Sequence, residues 1–395
     1  PRVRARGASG GLRRPDFKAI AMFERAAIVL AFAILAAQAD PQPSTSGPGV
    51  GAPSATAVPM ATPEPPGARP TQSPGCDTLS NLTARDVRVC TRLMQTHPPW
   101  DRQQFGYRFV RGYANRTIGA YDAGIADFTI AIRMYPKFAD SYIQRGSLYA
   151  FEGRDRLAIA DFDAAIARRR TFDNAFLERG NVYLSELDFR KAFADYRTAA
   201  QLRPYNGGAI FGAGIAVLEL GYPPAAATNF SAALRVFPMF TIYTSGPSAR
   251  NGPGEFFFAN TQHGSPAGID PRQGYAVIFL HIARSRSGGG DAREFARGVA
   301  TLDPAAWPIP IVRLFAGTET EAAAIAAAER SAPALRRGEV CEATTYAGEY
   351  ALLRHNGRHA RRLFERAIER CPRQYLAYQL ARSEIARSSA RAPNR

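Results

Sequence analysis

Apolar and polar positions between Phe105 and Phe240 repeat with a period of about 34 residues, written four times. Units starting at Phe105, Ala139, Asp173 and Gly207 align without gaps. Position 8 is then glycine throughout: Gly112, Gly146, Gly180 and Gly214. Position 20 is small (Gly124, Ala158, Ala192, Ala226), and position 27 is alanine (Ala131, Ala165, Ala199, Ala233). Position 24 is aromatic: Phe128, Phe162, Tyr196 and Phe230. Position 32 is Pro136, Arg170, Pro204 and Pro238. The spacing predicts two helices per unit. Small residues at 8 and 20 let the two approach closely, and the aromatic at 24 fills the space beside that contact. Proline at 32 is expected to close the unit, because it cannot continue a helix. Each helix is marginal alone, so stability must come from stacking.

Two charged columns run through the same units. Position 7 is Arg111, Arg145, Arg179, then Ala213; position 23 is Asp127, Asp161, Asp195, then Asn229. Both charges vanish together in the fourth unit. This predicts that each arginine pairs with the aspartate of its own unit.

These five columns resemble the tetratricopeptide repeat (TPR), which implies an all-α superhelix of antiparallel helix pairs. A further unit in register at Cys341 has Gly348 at position 8, Ala360 at 20, Phe364 at 24, Ala367 at 27 and Pro372 at 32. The expected organisation is an upstream extension and signal peptide over 1–39, a Pro/Ala/Gly-rich disordered linker over 40–75 and an N-terminal helical cap over 76–104. Four TPR units over 105–240 and a Gly/Pro-rich loop over 241–272 come next. A helical segment over 273–340, a TPR-like unit over 341–374 and a capping helix and tail over 375–395 complete the chain. Within 273–340 the pattern predicts helices near Gly274–Ile282, Asp291–Leu302, Ile309–Phe315 and Thr320–Arg330.

In a TPR array the first helix of each unit lines the concave face. Position 5 places Phe109, Ile143, Leu177 and Phe211 there, and position 9 places Tyr113, Ser147, Asn181 and Ile215. Position 12 adds Arg116, Ala150, Leu184 and Leu218. This mostly apolar groove suits an extended peptide or an amphipathic helix of a partner. The alternative is that the chain's own C-terminal helices, or a second copy, cover it. Of a Lys/Asn/Arg carboxylate clamp, as some TPR proteins carry, only Asn181 is present.

Near the N-terminus, Glu24-Arg25 precedes an apolar run over Ala26–Ala37, and Ala37-Gln38-Ala39 follows. This is the layout of a secretory signal cleaved after Ala39, with Met22 as the start; uncleaved, the segment would tether the array to a membrane. Export makes the chain periplasmic or secreted and favours disulfides among its four cysteines. The expected pairs are Cys76 with Cys90, and Cys341 with Cys371. The second pair should join antiparallel helix ends, Cys341 opening one helix and Cys371 ending the next.

The net charge of +16 is carried mostly by scattered arginine. No nucleic-acid motif accompanies it, and no nucleic-acid partner is expected. The five histidines offer only His355 and His359 at close spacing, and Gly357 between them breaks the shared helical face a metal pair needs. No phosphate loop, dinucleotide fingerprint or zinc motif is present, so no metal, cofactor or catalytic residue is expected. The expected function is a non-catalytic scaffold or adaptor. The alternative is a regulatory TPR region of an envelope enzyme, with 241–340 as the active part.

The order of four repeats, a helical segment and a terminal repeat is similar to the NlpI-like TPR lipoproteins of the bacterial cell envelope. That resemblance implies adaptor work on envelope proteins such as peptidoglycan hydrolases and a processing protease, often as a homodimer. The lipid-bearing cysteine of that group has no counterpart here, and the 241–272 insert is extra.

Overall fold

The structure is a computed structural model. It describes Cys76 and residues 82–98, 100–243, 272–290 and 292–390. All of them belong to one compact unit, Gly49–Arg395. The expected signal segment, the linker and most of the 241–272 loop lie outside the described residues. No strand occurs among the described residues, and no helix there is long and apolar enough to cross a membrane.

Sixteen helices follow one another among the described residues. Helix α1 (Ala84–Gln95) opens on a capping box, with Thr83 and Asp86 satisfying each other's free backbone donors. Four hairpins come next: α2 (Arg102–Thr117) with α3 (Tyr121–Met134), and α4 (Ala139–Phe151) with α5 (Asp155–Arg168). They continue as α6 (Asp173–Ser185) with α7 (Phe189–Leu202), and α8 (Gly207–Glu219) with α9 (Pro223–Tyr243). The linking helices are α10 (Arg272–Arg286), α11 (Ala292–Val299), α12 (Ile309–Phe315) and α13 (Glu321–Glu329). The fifth hairpin is α14 (Pro333–Leu353) with α15 (Gly357–Arg370), and α16 (Leu376–Ala390) closes the series. Each helix packs on its hairpin partner and on the next hairpin, the arrangement of an α-solenoid.

The position-8 glycines are the hinge of every pair. A Cβ on Gly112 would sit 2.8 Å from Phe128, on Gly146 2.9 Å from Phe162 and on Gly180 3.0 Å from Tyr196. On Gly214 and Gly348 it would sit 2.6 Å from Phe230 and Phe364. Five units therefore share one contact, in which an aromatic ring occupies the space a Cβ would take. The fold is the tetratricopeptide repeat.

A further column is visible only in the backbone. Position 15 has positive φ in all five units: Gly119 (78°), Gly153 (70°), Leu187 (63°), Gly221 (86°) and His355 (59°). This left-handed residue ends each first helix and turns the chain toward the second. Glycine suits it, whereas Leu187 and His355 are strained there.

Three expectations need correction. Helix α9 runs through Pro238 to Tyr243, beyond the expected unit end at 240, so this proline does not close its unit. The preceding turn buries Val236 and Phe237, whose burial offsets the one lost helical bond. Cys341 does not open its helix either: α14 starts at Pro333, a residue well suited to a first turn. The helical segment predicted to end at 340 thus already contains the first two turns of the fifth hairpin.

Both expected disulfides are formed. Cys76–Cys90 has its Cα atoms 5.2 Å apart, and Cys341–Cys371 has them 4.9 Å apart. Cys371 caps the C-terminus of α15 and ties it to α14.

Candidate protein-binding cleft

The paired charges build an internal ladder. Arg111 donates to Asp127 through Nε (2.8 Å) and Nη2 (2.6 Å). Arg145 grips Asp161 in the same two-pronged way (2.8 and 2.7 Å), and Arg179 grips Asp195 (2.8 and 2.7 Å). All three pairs are within one unit, as the joint loss of both charges in the fourth unit predicted. The remaining nitrogen, Nη1, reaches the helix before: Thr91 (2.9 Å), Thr129 (3.1 Å) and Asp163. Each arginine is thus a clasp between successive units. Burial works against the charge on Arg145, but the Asp161 hydrogen bond and field raise its pKa overall.

The residues expected to line an apolar groove are divided by the structure. Phe109 and Tyr113 are half-buried in an aromatic cluster with Phe128, at centroid distances of 5.6 and 5.8 Å. Arg116 donates to Gln144 at 3.1 Å. Ile143 and Ser147 are buried. Leu177, Leu184, Phe211, Ile215 and Leu218 face no open groove; they belong to the main core, together with Leu376 and Leu380 of α16 and Tyr275 and Phe279 of α10. A crevice of about 20 Å³ remains along Leu177, Phe211, Ile215 and Leu376. The physical reason is simple: these side chains form one apolar stripe, and the chain's own last helix is the nearest apolar surface that can cover it.

A buried ionic cluster locks α16 in that position. Arg286 donates to Glu349 (2.6 Å) and Glu384 (2.8 Å). Arg387 reaches Glu384 at 3.0 Å and also Glu219, which Ser383 contacts as well. Three carboxylates thus share two guanidinium groups, joining α8, α10, α14 and α16. Burial, opposed by Arg286 and reinforced by Glu384 and Glu219, pushes the Glu349 carboxyl up to about 7. The sequence held no signal for this cluster, whose members lie far apart along the chain.

What stays open is a cleft of about 960 Å³ between units 2 and 3 on one side and the fifth hairpin with α16 on the other. The end of α4 and start of α5 contribute Phe151, Glu152 and Asp155; α6 contributes Glu178, Asn181 and Ser185. The facing wall holds Arg337, Glu369, Arg373, Gln374, Tyr378 and Arg382. Of the predicted groove residues, Ala150 and Asn181 are on its lining. The Asn181 Nδ2 donates to Glu178 at 3.2 Å and its Oδ1 accepts from Tyr196 at 2.9 Å, so its amide is held in a fixed orientation. Arg382 spans the base, donating to the Ser185 carbonyl at 3.1 Å. Burial raises the Asp155 carboxyl, and Arg382 pulls the other way. Cys371 also lines the cleft, so the disulfide braces one wall.

His355 and His359 have other duties. His355 occupies the left-handed turn, and His359 Nε2 meets Glu321 Oε2 of α13 at 2.5 Å. Among the described residues, no group of three or more His, Cys, Asp or Glu is placed to hold a metal ion.

No protein-family model matches this sequence, and no curated protein does. Solved structures with a similar fold include the crystal structure of MamA, 21% identical, with 38% of this chain and 85% of that chain covered and a TM-score of 0.35. YrrB, described as a TPR protein with an unusual peptide-binding site, is 16% identical over 64% of this chain and 95% of its own, with a TM-score of 0.34. A tetratricopeptide repeat protein from Parabacteroides merdae is 16% identical over 72% of this chain and 99% of its own, with a TM-score of 0.41.

Proposed function

We propose that this chain is an exported, non-catalytic scaffold that holds another protein by gripping one of its segments in the cleft between units 2–3 and the fifth hairpin. The observation that carries this reading is the cleft itself. The apolar first-helix face of units 3 and 4 is covered by α10 and α16, yet about 960 Å³ is left open beside it. Its lining is rich in hydrogen-bonding groups held in place beforehand, which is how a surface gains affinity without ordering cost. Solenoids use such long, rigid walls to bind other proteins.

Two formed disulfides favour an oxidising compartment, in line with the signal-like sequence over 24–39. On the NlpI-like resemblance, the partners are envelope proteins such as peptidoglycan hydrolases or a processing protease, and the scaffold works as a homodimer. On this reading the scaffold works in the periplasm or is secreted.

The test places a photo-cross-linking residue at Gln374 in the cleft and, separately, at the exposed Leu157 outside it. Cross-linking in intact cells should trap a defined partner from Gln374 and not from Leu157. Equal trapping from both, or trapping from Leu157 alone, refutes the site.

A further inference from the structure

The cleft has two walls of opposite charge, and we infer that its occupant is an extended peptide in which basic and acidic side chains alternate. This rests on the cleft being the binding site. The wall built by units 2 and 3 carries Glu152, Asp155 and Glu178, with Arg154 pairing Glu152 at 3.2 Å. The opposite wall, built by the fifth hairpin and α16, carries Arg337, Arg373 and Arg382 against one acid, Glu369. The two signs are segregated by element. The acids come from the α4–α5 turn, α5 and α6, and the arginines from α14, the α15–α16 turn and α16.

The walls do not close on each other. Arg382 bridges at the base, through its bond to the Ser185 carbonyl and its attraction for Asp155. Above it lies the open volume, at the large end of the roughly 300–1,000 Å³ range of ligand pockets. A ligand of a single sign would be attracted by one wall and repelled by the other. An extended chain resolves this, because successive side chains point to opposite sides. Alternating basic and acidic residues would send every basic group to the Glu152–Glu178 wall and every acid to the Arg337–Arg382 wall. The same residues in two blocks would face both walls with both signs. Charge matching of this kind sets register and specificity more than bulk affinity.

The floor suits a backbone. Asn181 is held by Glu178 and Tyr196 and is 5% exposed. Gln379 is fixed by its bond to the Arg373 carbonyl at 2.6 Å. Tyr378 offers an apolar flank along which side-chain stems can lie.

The experiment uses the full chain with both disulfides intact and four fluorescein-labelled peptides of eight residues. One alternates lysine and glutamate, one has four lysines followed by four glutamates, one is all lysine and one all glutamate. Fluorescence anisotropy should show the alternating peptide binding at least about tenfold more tightly than the other three. Added salt should weaken it, and Arg373→Glu should cost about tenfold. Arg373 is exposed and its backbone carbonyl, which accepts from Gln379, is kept in this variant; a melting curve matching the parent's shows that it folds. Equal binding of the block and alternating peptides overturns the charge-pattern inference, as does binding of none of the four. Cross-linking from Gln374 reports separately on whether the cleft is the site, so failure of the pattern and failure of the site are told apart.

Discussion

Replacing Gly214 by alanine isolates the contact on which the hairpins depend. Helix propensity alone predicts a gain of about 1 kcal/mol, since glycine is that much poorer than alanine inside a helix. Packing predicts the reverse. The added Cβ would lie 2.6 Å from a Phe230 ring carbon and must gain about 1 Å to reach ordinary contact. Phe230 is fully buried and cannot retreat, being held by Phe211 and Phe279, each at 5.4 Å between ring centroids. Overpacking of this kind costs about 1–3 kcal/mol, and the 2.6 Å approach places this site in the upper half of that range, so the net expectation is a loss approaching about 2 kcal/mol. Gly357→Ala is the control: nothing lies within 4 Å of its Cβ, and it should be neutral or stabilising by up to about 1 kcal/mol. Urea unfolding followed by far-ultraviolet circular dichroism reads both. Combining Gly214→Ala with Phe230→Leu should recover about 1 kcal/mol relative to the sum of the single changes. If Gly214→Ala raises the midpoint as the propensity scale predicts, the close-contact account of the repeat is wrong.

Three more outcomes follow from named contacts. Asp161→Ala should cost about 3 kcal/mol, because it strands Arg145 in a half-buried site; a double-mutant cycle with Arg145→Ala should show strong coupling between the two. His355→Gly should stabilise by about 1 kcal/mol in a thermal melt, since it removes a left-handed strain at an exposed position. Glu349 has a folded pKa of about 7, above its ordinary value of 4.5, so the folded state binds the proton more tightly. Its contribution is full below about pH 4.5 and is lost as the pH rises through about 7, so stability should fall by about 1.4 kcal/mol between about pH 6 and about pH 8. Glu349→Gln should flatten that slope, and an unchanged slope would discount the group.

The repeats were legible in the sequence because each makes its key contact within one unit. Gly214 and Phe230 are half a unit apart, and the Arg145–Asp161 pair showed itself through joint loss at Ala213 and Asn229. The reach of Arg179 to Asp163 was not legible, since position 25 is threonine in one unit and aspartate in the next. Position 15 was missed because Leu187 and His355 break the glycine column. The fate of the apolar stripe was half legible: two occupants were open, and the helix that covers Leu177 and Phe211 lies more than a hundred residues away. That long-range choice is set by Leu376, Leu380 and the Arg286–Glu349–Glu384 cluster, none of which carries a periodic signal. The cleft was illegible for the same reason, as its two walls come from segments far apart in the chain.

The most direct test of the account compares two substitutions for affinity toward the partner trapped from Gln374, with a melting curve for each. Gln374→Trp fills the cleft from the surface and should leave the melting temperature unchanged while weakening binding by about tenfold or more. Leu177→Asn lies in the core under α16 and should lower the melting temperature markedly. Normal binding by Gln374→Trp, together with a stably folded Leu177→Asn protein that no longer binds, would return the site to the apolar face of the first helices and contradict the account.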